Sequence, residues 1–433
     1  ESNQHYNNKN RRVGAIRERF VHATLTRATI VGDRNDLRCH DLRDVLSRTQ
    51  IPFEWLDPSE PADRASLDPE ILRAGRFPLV VVDGRQTLVA PTLRELAEAL
   101  GLQTRPRSAT YDVAIVGGGP AGLAAAVYGG SEGLRTILIE REAPGGQAGT
   151  SSRIENYLGF PGGISGSELA QRALQQARRF GAELMVTRSV AELRLHEPHH
   201  EIVLDGGESL GARAIVIATG VCWRALETEG AAALVGRGIY YGAARTEALG
   251  TRGRDIFLIG GGNSAGQAAM FFANYARSVT LLVRGEALEA SMSYYLIEQL
   301  RSKANIAVEV RTTVVRALGE GHLEALVTRD GAGSEQRRPA DDLFVFIGAD
   351  AQTDWLPREL ERDQRGYLRT GRDLTTWSAT RAPFALETSV PGVFAAGDVR
   401  SDSVKRVASG VGEGSMVIAW VHRYFEALAH AAS

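Results

Sequence analysis

The stretch YDVAIVGGGPAGLAAAVYGGSEGLRTILIE (111–140) limits the fold of this chain more than any other: an apolar strand, a glycine turn, a helix and a second strand ending in an acid. That order is the dinucleotide-binding unit of a doubly wound α/β sheet. Gly117 allows the tight turn, Gly119 lets backbone approach a pyrophosphate, and Gly122 permits close helix packing. Pro120 and Ala121 open a helix whose N-terminus attracts phosphate charge. Glu140 lies 140 minus 122, or 18, residues beyond the last glycine, the separation from which an acid reaches the ribose hydroxyls.

The same design recurs in RDIFLIGGGNSAGQAAMFFANYARSVTLLVRGEALEASMSYYL (254–296). Gly260, Gly262 and Ala265 fill the three turn positions, and Asn263 and Ser264 are expected to donate to a pyrophosphate. Here the strand TLLV ends at Arg284 where an acid would stand, and arginine receives a 2′-phosphate, which favours NADPH over NADH.

With 433 residues, two or three domains are expected. The 43% hydrophobic and 24% charged composition is that of a globular chain. Lys plus Arg number 50 against 52 Asp plus Glu, so no general field draws in a nucleic acid or an anionic membrane. No apolar run approaches the roughly 18 residues that cross a bilayer, and the polar start ESNQHYNNKN is unlike a signal peptide, so a cytoplasmic protein is expected. The two cysteines, Cys39 and Cys222, build neither a disulfide scaffold nor a zinc site, and no metal is expected.

Residues 1–24 lack periodicity and read as a flexible arm. Residues 25–102 read as a small module: a strand over 28–32, an amphipathic helix over 37–50, a strand over 52–57, two strands within 77–92 around the Asp83-Gly84 hairpin signal, and a helix over 93–102. That βαβββα order fits a glutaredoxin or thioredoxin-like fold, and QTRPRSAT (103–110) reads as a linker.

Beyond Glu140 the chain resembles the thioredoxin reductases. The residues that carry the likeness are Gly145-Gly146-Gln147, Glu155-Asn156-Tyr157, the stretch from Gly159 to Leu169, IVIATG (215–220) and GVFAAGDV (392–399). The resemblance implies an FAD domain at 108–224 and 348–433 with a nicotinamide domain inserted at 225–347. By carry-over, Gly146, Gln147 and Asn156 meet the flavin, Ala218, Thr219 and Gly220 form the return strand under it, and Gly397 and Asp398 hold the ribityl chain. Lys405 and Arg406 stand where disulfide reductases carry Arg-Gln against the flavin, with Val407 next in the same expected cofactor site, so positive charge is expected at its pyrimidine edge, unless both cations pair with acids such as Glu413.

Two departures from the family pattern matter. Thioredoxin reductases usually have a His-Arg-Arg run and a further Arg after the second strand of the nicotinamide domain, whereas Val283, Arg284, Gly285 and then Glu289 stand here. NADPH preference, use of NADH and a poorly working site all stay open on that ground. The family's Cys-x-x-Cys falls on GIYYGAARTEALG (238–250), with Gly242 and Arg245 at the cysteine positions, so disulfide exchange by the usual thiolate route is not expected. In the first module, Asp36-Leu37-Arg38-Cys39 keeps only the second cysteine of a thioredoxin-type site, and Pro78 resembles the cis-proline facing it. A degenerate docking, dimerising or structural module is implied, with a monothiol role for Cys39 as the alternative.

The expectation is therefore an FAD-dependent NADPH oxidoreductase, a homodimer by family resemblance, that passes electrons to a small molecule, quinone, iron-sulfur protein or dioxygen. Tyr241 and Glu247, flanking the lost cysteine positions, are the candidate catalytic groups at the flavin face. A sensory flavoprotein with an impaired NADPH site, or an oxidative enzyme acting on one metabolite, are the rival readings.

Overall fold

Runs of β-branched residues open the first of two units into which the chain divides between Leu102 and Gln103. The computed structural model describes residues 26–33, 36–151, 153–242 and 250–432. In the first unit, strands β1 (Ala28–Val31), β2 (Phe53–Leu56), β3 (Leu79–Val82) and β4 (Gln86–Val89) form one sheet in the order β2-β1-β3-β4. β1 runs parallel to β2 and antiparallel to β3. Helix α1 (Leu37–Arg48) starts where the Asp36 carboxylate accepts the Arg38 N–H at 2.8 Å.

The β3–β4 hairpin turns through Asp83 and Gly84, both at positive φ, and Arg27 pins the Asp83 carboxylate at 2.9 Å. Two helices absent from the sequence reading, α2 (Pro61–Ser66) and α3 (Pro69–Ala74), follow β2, so the order is βαβααββα. Each has 6 residues, too few for a 3.6-residue period to show, and each starts on the proline that a helix tolerates in its first turn. Helix α4 (Leu93–Ala99) closes the unit on a Thr92–Glu95 capping box. Leu42, Leu46 and Leu96 bury the helices against Ile30 and Val80.

The segment expected to be a linker is bonded into the second unit. Gln103 O accepts the Val186 N–H at 3.0 Å and Thr104 O accepts Arg188 Nη1 at 2.7 Å. Glu183 accepts the Arg107 N–H at 2.7 Å and the Tyr111 hydroxyl at 2.8 Å.

From there strand β5 (Thr110–Val116), helix α5 (Pro120–Ser131) and strand β6 (Thr136–Ile139) lead through the short α6 (Gly146–Gly149) and the amphipathic α7 (Gly166–Arg179) to β7 (Glu183–Met185). Strands β8 (Val190–Arg194), β9 (His200–Leu204) and β10 (Ser209–Ile217) complete the sheet β7-β6-β5-β10-β9-β8. The pair β11 (Cys222–Trp223) and β20 (Ala349–Asp350) marks the crossing into and out of an inserted domain. That insert has a parallel sheet β12-β19-β13-β14-β15, made by β12 (Ile239–Tyr241), β13 (Asp255–Ile259), β14 (Ser278–Val283), β15 (Ile306–Val310) and β19 (Asp342–Val345). Helices α8 (Asn263–Phe272) and α9 (Tyr294–Arg301) cover it, and an antiparallel sheet of β16 (Thr313–Leu318), β17 (Ala325–Arg329) and β18 (Glu335–Pro339) stands beside it. Strand β21 (Val393–Ala395) rejoins the first sheet beside β10, and helix α10 (Val407–Ala432) packs on α5.

Candidate functional site

The first glycine turn is built as its residues require. Gly117 has φ +108, and a Cβ there would come within 2.5 Å of Ala218 O. A Cβ on Gly122 would come within 1.9 Å of Gly117 O, so only glycine lets α5 begin so close to β5. Gly119 caps α5 without a side-chain hydrogen bond, which leaves the first amides of the helix directed at a ligand. The buried Glu140 carboxylate lies against this turn and accepts the Gly118 N–H at 2.7 Å and the Glu142 N–H at 2.9 Å.

These groups fit FAD on two further observations. The hydroxyl of Thr219, in the return strand's ATG turn, is buried without a partner. The half-buried Asp398 carboxylate, held above its usual range mainly by burial, with Lys405 opposing and Glu413 adding, accepts no hydrogen bond among the described residues. Both are left for a polyhydroxyl ligand to satisfy.

Helix α10 brings a second N-terminus to the same place. Gly414 lies so close to α5 that a Cβ would come 2.1 Å from Ala121 O, and Gly410 faces Pro120 and Ala121. The Glu413 carboxylate accepts the Gly397 N–H at 2.7 Å and the Arg400 guanidinium at 2.7 Å, fixing the GDV turn to this helix. Glu413 is therefore committed to Arg400, and the alternative in which it pairs with Lys405 or Arg406 is corrected. Lys405 Nζ instead donates to Asp398 O at 2.6 Å and Ser403 Oγ at 2.8 Å, above the Tyr367 ring. Arg406 is exposed and Val407 opens the helix.

In the second motif Gly260 and Gly262 turn β13 into α8, and Ala265 is fully buried at the third position. The Asn263 side chain is already engaged: its Oδ1 accepts the Ser293 N–H at 2.7 Å and its Nδ2 donates to Ser293 Oγ at 3.0 Å, so it joins α8 to α9. Ser264 is exposed. So is Arg284, at the end of β14.

A cleft lined by Gln147, Thr150 and Arg153 of the first domain and Ser264, Gln267 and Phe346 of the insert also takes in Gly242. Trp223 meets Phe346 edge to face there, with centroids 6.2 Å apart. Gly242 has φ +99, and the nearest atom to a Cβ on it would be Thr150 Oγ1 at 3.4 Å. Gln147 Nε2 donates to Val221 O at 2.5 Å, tying the flavin loop to the return strand, and Asn156 is exposed on the loop closed by the Ile154–Ile164 bridge.

A family model described as pyridine nucleotide-disulphide oxidoreductase matches residues 111–414. The chain belongs to that family. It is 33% identical to the thioredoxin reductase of Listeria innocua over 327 residues, which cover 74% of this chain and 96% of the relative. The crystal structure of T. acidophilum thioredoxin reductase matches with a TM-score of 0.66 at 27% identity, covering 74% of this chain and 100% of that one. Lactococcus lactis thioredoxin reductase matches with a TM-score of 0.65 at 26% identity, covering 72% and 98%. FAD and NADPH are the cofactors of this thioredoxin reductase-like family and of this chain.

Of the two candidate catalytic groups, Glu247 lies outside the described residues, as does Arg245. The Tyr241 hydroxyl accepts the Leu226 N–H at 2.8 Å, a bond that anchors the edge of the inserted domain, and the tyrosine is not part of the cleft lining. Sequence reasoning missed Trp223, Phe346, Gln267 and Thr150, which come together only through folding. It also missed Arg400, for which the 13-residue spacing to Glu413 across a turn left no periodic signal.

Proposed function

We propose that this chain is an FAD-dependent NADPH oxidoreductase whose electrons leave through the Gly242 cleft to an acceptor other than a dithiol in its own chain. FAD supplies the two-electron redox chemistry and NADPH the hydride, for a net NADPH + H⁺ + A → NADP⁺ + AH₂. The protein's share is placement. The first turn and Glu140 would hold the adenosine and pyrophosphate, Thr219 and Asp398 the ribityl chain, and the amino ends of α5 and α10 would favour negative charge on the flavin side.

One observation carries the reading: the cleft position at which a thioredoxin reductase would carry a cysteine holds Gly242 in a left-handed conformation, φ +99, that a cysteine adopts only with strain. The remaining thiols give it further support, since Cys39 is buried in the other unit and Cys222 Sγ accepts a hydrogen bond from Arg141 at 3.3 Å. The polar and aromatic cleft lining suits a small planar acceptor.

The first unit, on this reading, is a thioredoxin-like module without its active dithiol, supported by its βαβααββα order, with Pro78 immediately before β3. A homodimer in the cytoplasm is the assembly and setting carried over from the family; no described helix is long and apolar enough to cross a membrane.

The relatives' own name favours the opposing reading, reduction of a protein disulfide. Anaerobic titration with NADPH decides between them, followed by an acceptor screen with thioredoxin disulfide, a soluble quinone and dioxygen. NADPH should bleach the flavin, and a quinone or dioxygen should restore it while thioredoxin disulfide does not. Turnover of thioredoxin disulfide as fast as the bleaching would sink the non-dithiol reading.

A further inference from the structure

Strand β14 ends at the place where a dinucleotide-binding unit meets the ribose of its ligand, and Arg284, Gly285 and Glu286 follow. Arg284 is exposed and has no ion-pair partner among the described residues. The chain leaving the neighbouring β15 folds back onto this turn: the Arg311 N–H donates to Gly285 O at 2.9 Å and the Thr312 N–H to Val283 O at 3.0 Å. Arg311 itself has φ +52, unusual for a residue with a side chain. Its guanidinium stands 3.2 Å from Glu286, with the two side chains 61% and 81% exposed. An ion pair that open to water is weak and is readily exchanged for a doubly charged phosphate. Glu289, the acid at a position where the family resemblance led us to expect a base, is bound by Arg301 at 3.0 Å.

We propose that Arg311 recognises the 2′-phosphate of NADPH together with Arg284, and that Glu286 holds Arg311 when no phosphate is present. The clamp is thus assembled from the ends of two adjacent strands, β14 and β15, in place of a run of arginines after one. Discrimination between the two nicotinamide cofactors follows from it, because NADH offers these guanidiniums only ribose hydroxyls. The inference rests on NADPH being a ligand of the inserted domain and is independent of the acceptor.

Equilibrium binding to the oxidised holoprotein, with NADP⁺, NAD⁺, 2′,5′-ADP and 5′-AMP as probes, tests it without turnover. 2′,5′-ADP should bind about a hundredfold more tightly than 5′-AMP, and R311A and R284A should each weaken NADP⁺ and 2′,5′-ADP about tenfold while leaving NAD⁺ and 5′-AMP unchanged. E286Q should tighten NADP⁺ alone, and R311K should fall between R311A and the unaltered protein. Equal binding of the two adenosine nucleotides to the unaltered protein, or an R311A effect of equal size on NADP⁺ and NAD⁺, overturns the proposal. Should R311A fail to fold, E286Q and R311K decide the matter: no change in the NADP⁺ to NAD⁺ ratio in either overturns it. Normal discrimination in a protein whose flavin NADPH fails to bleach would instead count against the oxidoreductase reading and leave this clamp standing.

Discussion

Cys39 sits in surroundings that disfavour its thiolate. It is fully buried, a Cβ on Gly32 would come 2.2 Å from its Sγ, and burial first, then the neighbouring Asp36, pushes its thiol up to about 12. Cys222 is half-buried and in contact with Arg141. Ellman's reagent should therefore find one fast thiol per native chain, absent in C222S, with Cys39 reacting only after unfolding. His200 is the corresponding acid-sensitive residue: burial first, then His196 and His199, lowers its pKa from 6.5 to about 4, with the Pro391 backbone opposing the shift. Above pH 6.5 the imidazole is neutral whether the chain is folded or not. Between pH 6.5 and about 4 the unfolded chain takes up a proton that the folded chain refuses, so stability falls with pH, by at most about 3 kcal/mol. H200F should flatten the dependence of melting temperature on pH across that window; an unchanged slope would show that the histidine is not the source. Neither environment is written in the residue's own neighbourhood of sequence, whereas Glu140 was legible because its partner turn lies one helix away.

The contact between α5 and α10 turns on one glycine. G414A would drive a methyl group into Ala121 O and is expected to cost about 1–3 kcal/mol and to lower FAD retention. G412A, on the same helix with open space around it, should be neutral or stabilise by about 0.5–1 kcal/mol. Thermal melting and flavin content of the two variants, measured side by side, check the pairing; equal effects would refute the close approach. E413A should destabilise by about 2–3 kcal/mol, since it removes the acceptor of the Gly397 amide and leaves Arg400, 17% exposed, without its carboxylate. Long elements with a glycine turn or a clear period were readable in advance. The helices α2 and α3 were not, because with 6 residues each they are too short for a 3.6-residue period to show, and α2 buries no residue that could mark a face.

At the level of the whole chain, the division lies before Gln103, and the segment that follows belongs to the second unit through Thr104, Arg107 and Glu183. A fragment of residues 103–433 should fold and retain FAD, while one beginning at Ala109 should melt earlier and lose flavin more readily. Arg188, 2% exposed, would lose the Thr104 carbonyl and keep only Asp205 and Glu208. Equal melting temperatures for the two fragments would show that 103–108 is a tether after all. The sequence alone determined the two dinucleotide-binding turns, with the acid at one and the arginine at the other. Those are backbone demands, and steric limits on a turn are expressed within a few residues of it. Only the tertiary structure decided which polar groups are already engaged by protein: Asn263 by Ser293, Glu413 by Arg400, Tyr241 by the Leu226 amide. Those partners meet because apolar faces elsewhere pack and carry them together, and no local pattern in the chain encodes where a distant element will come to rest.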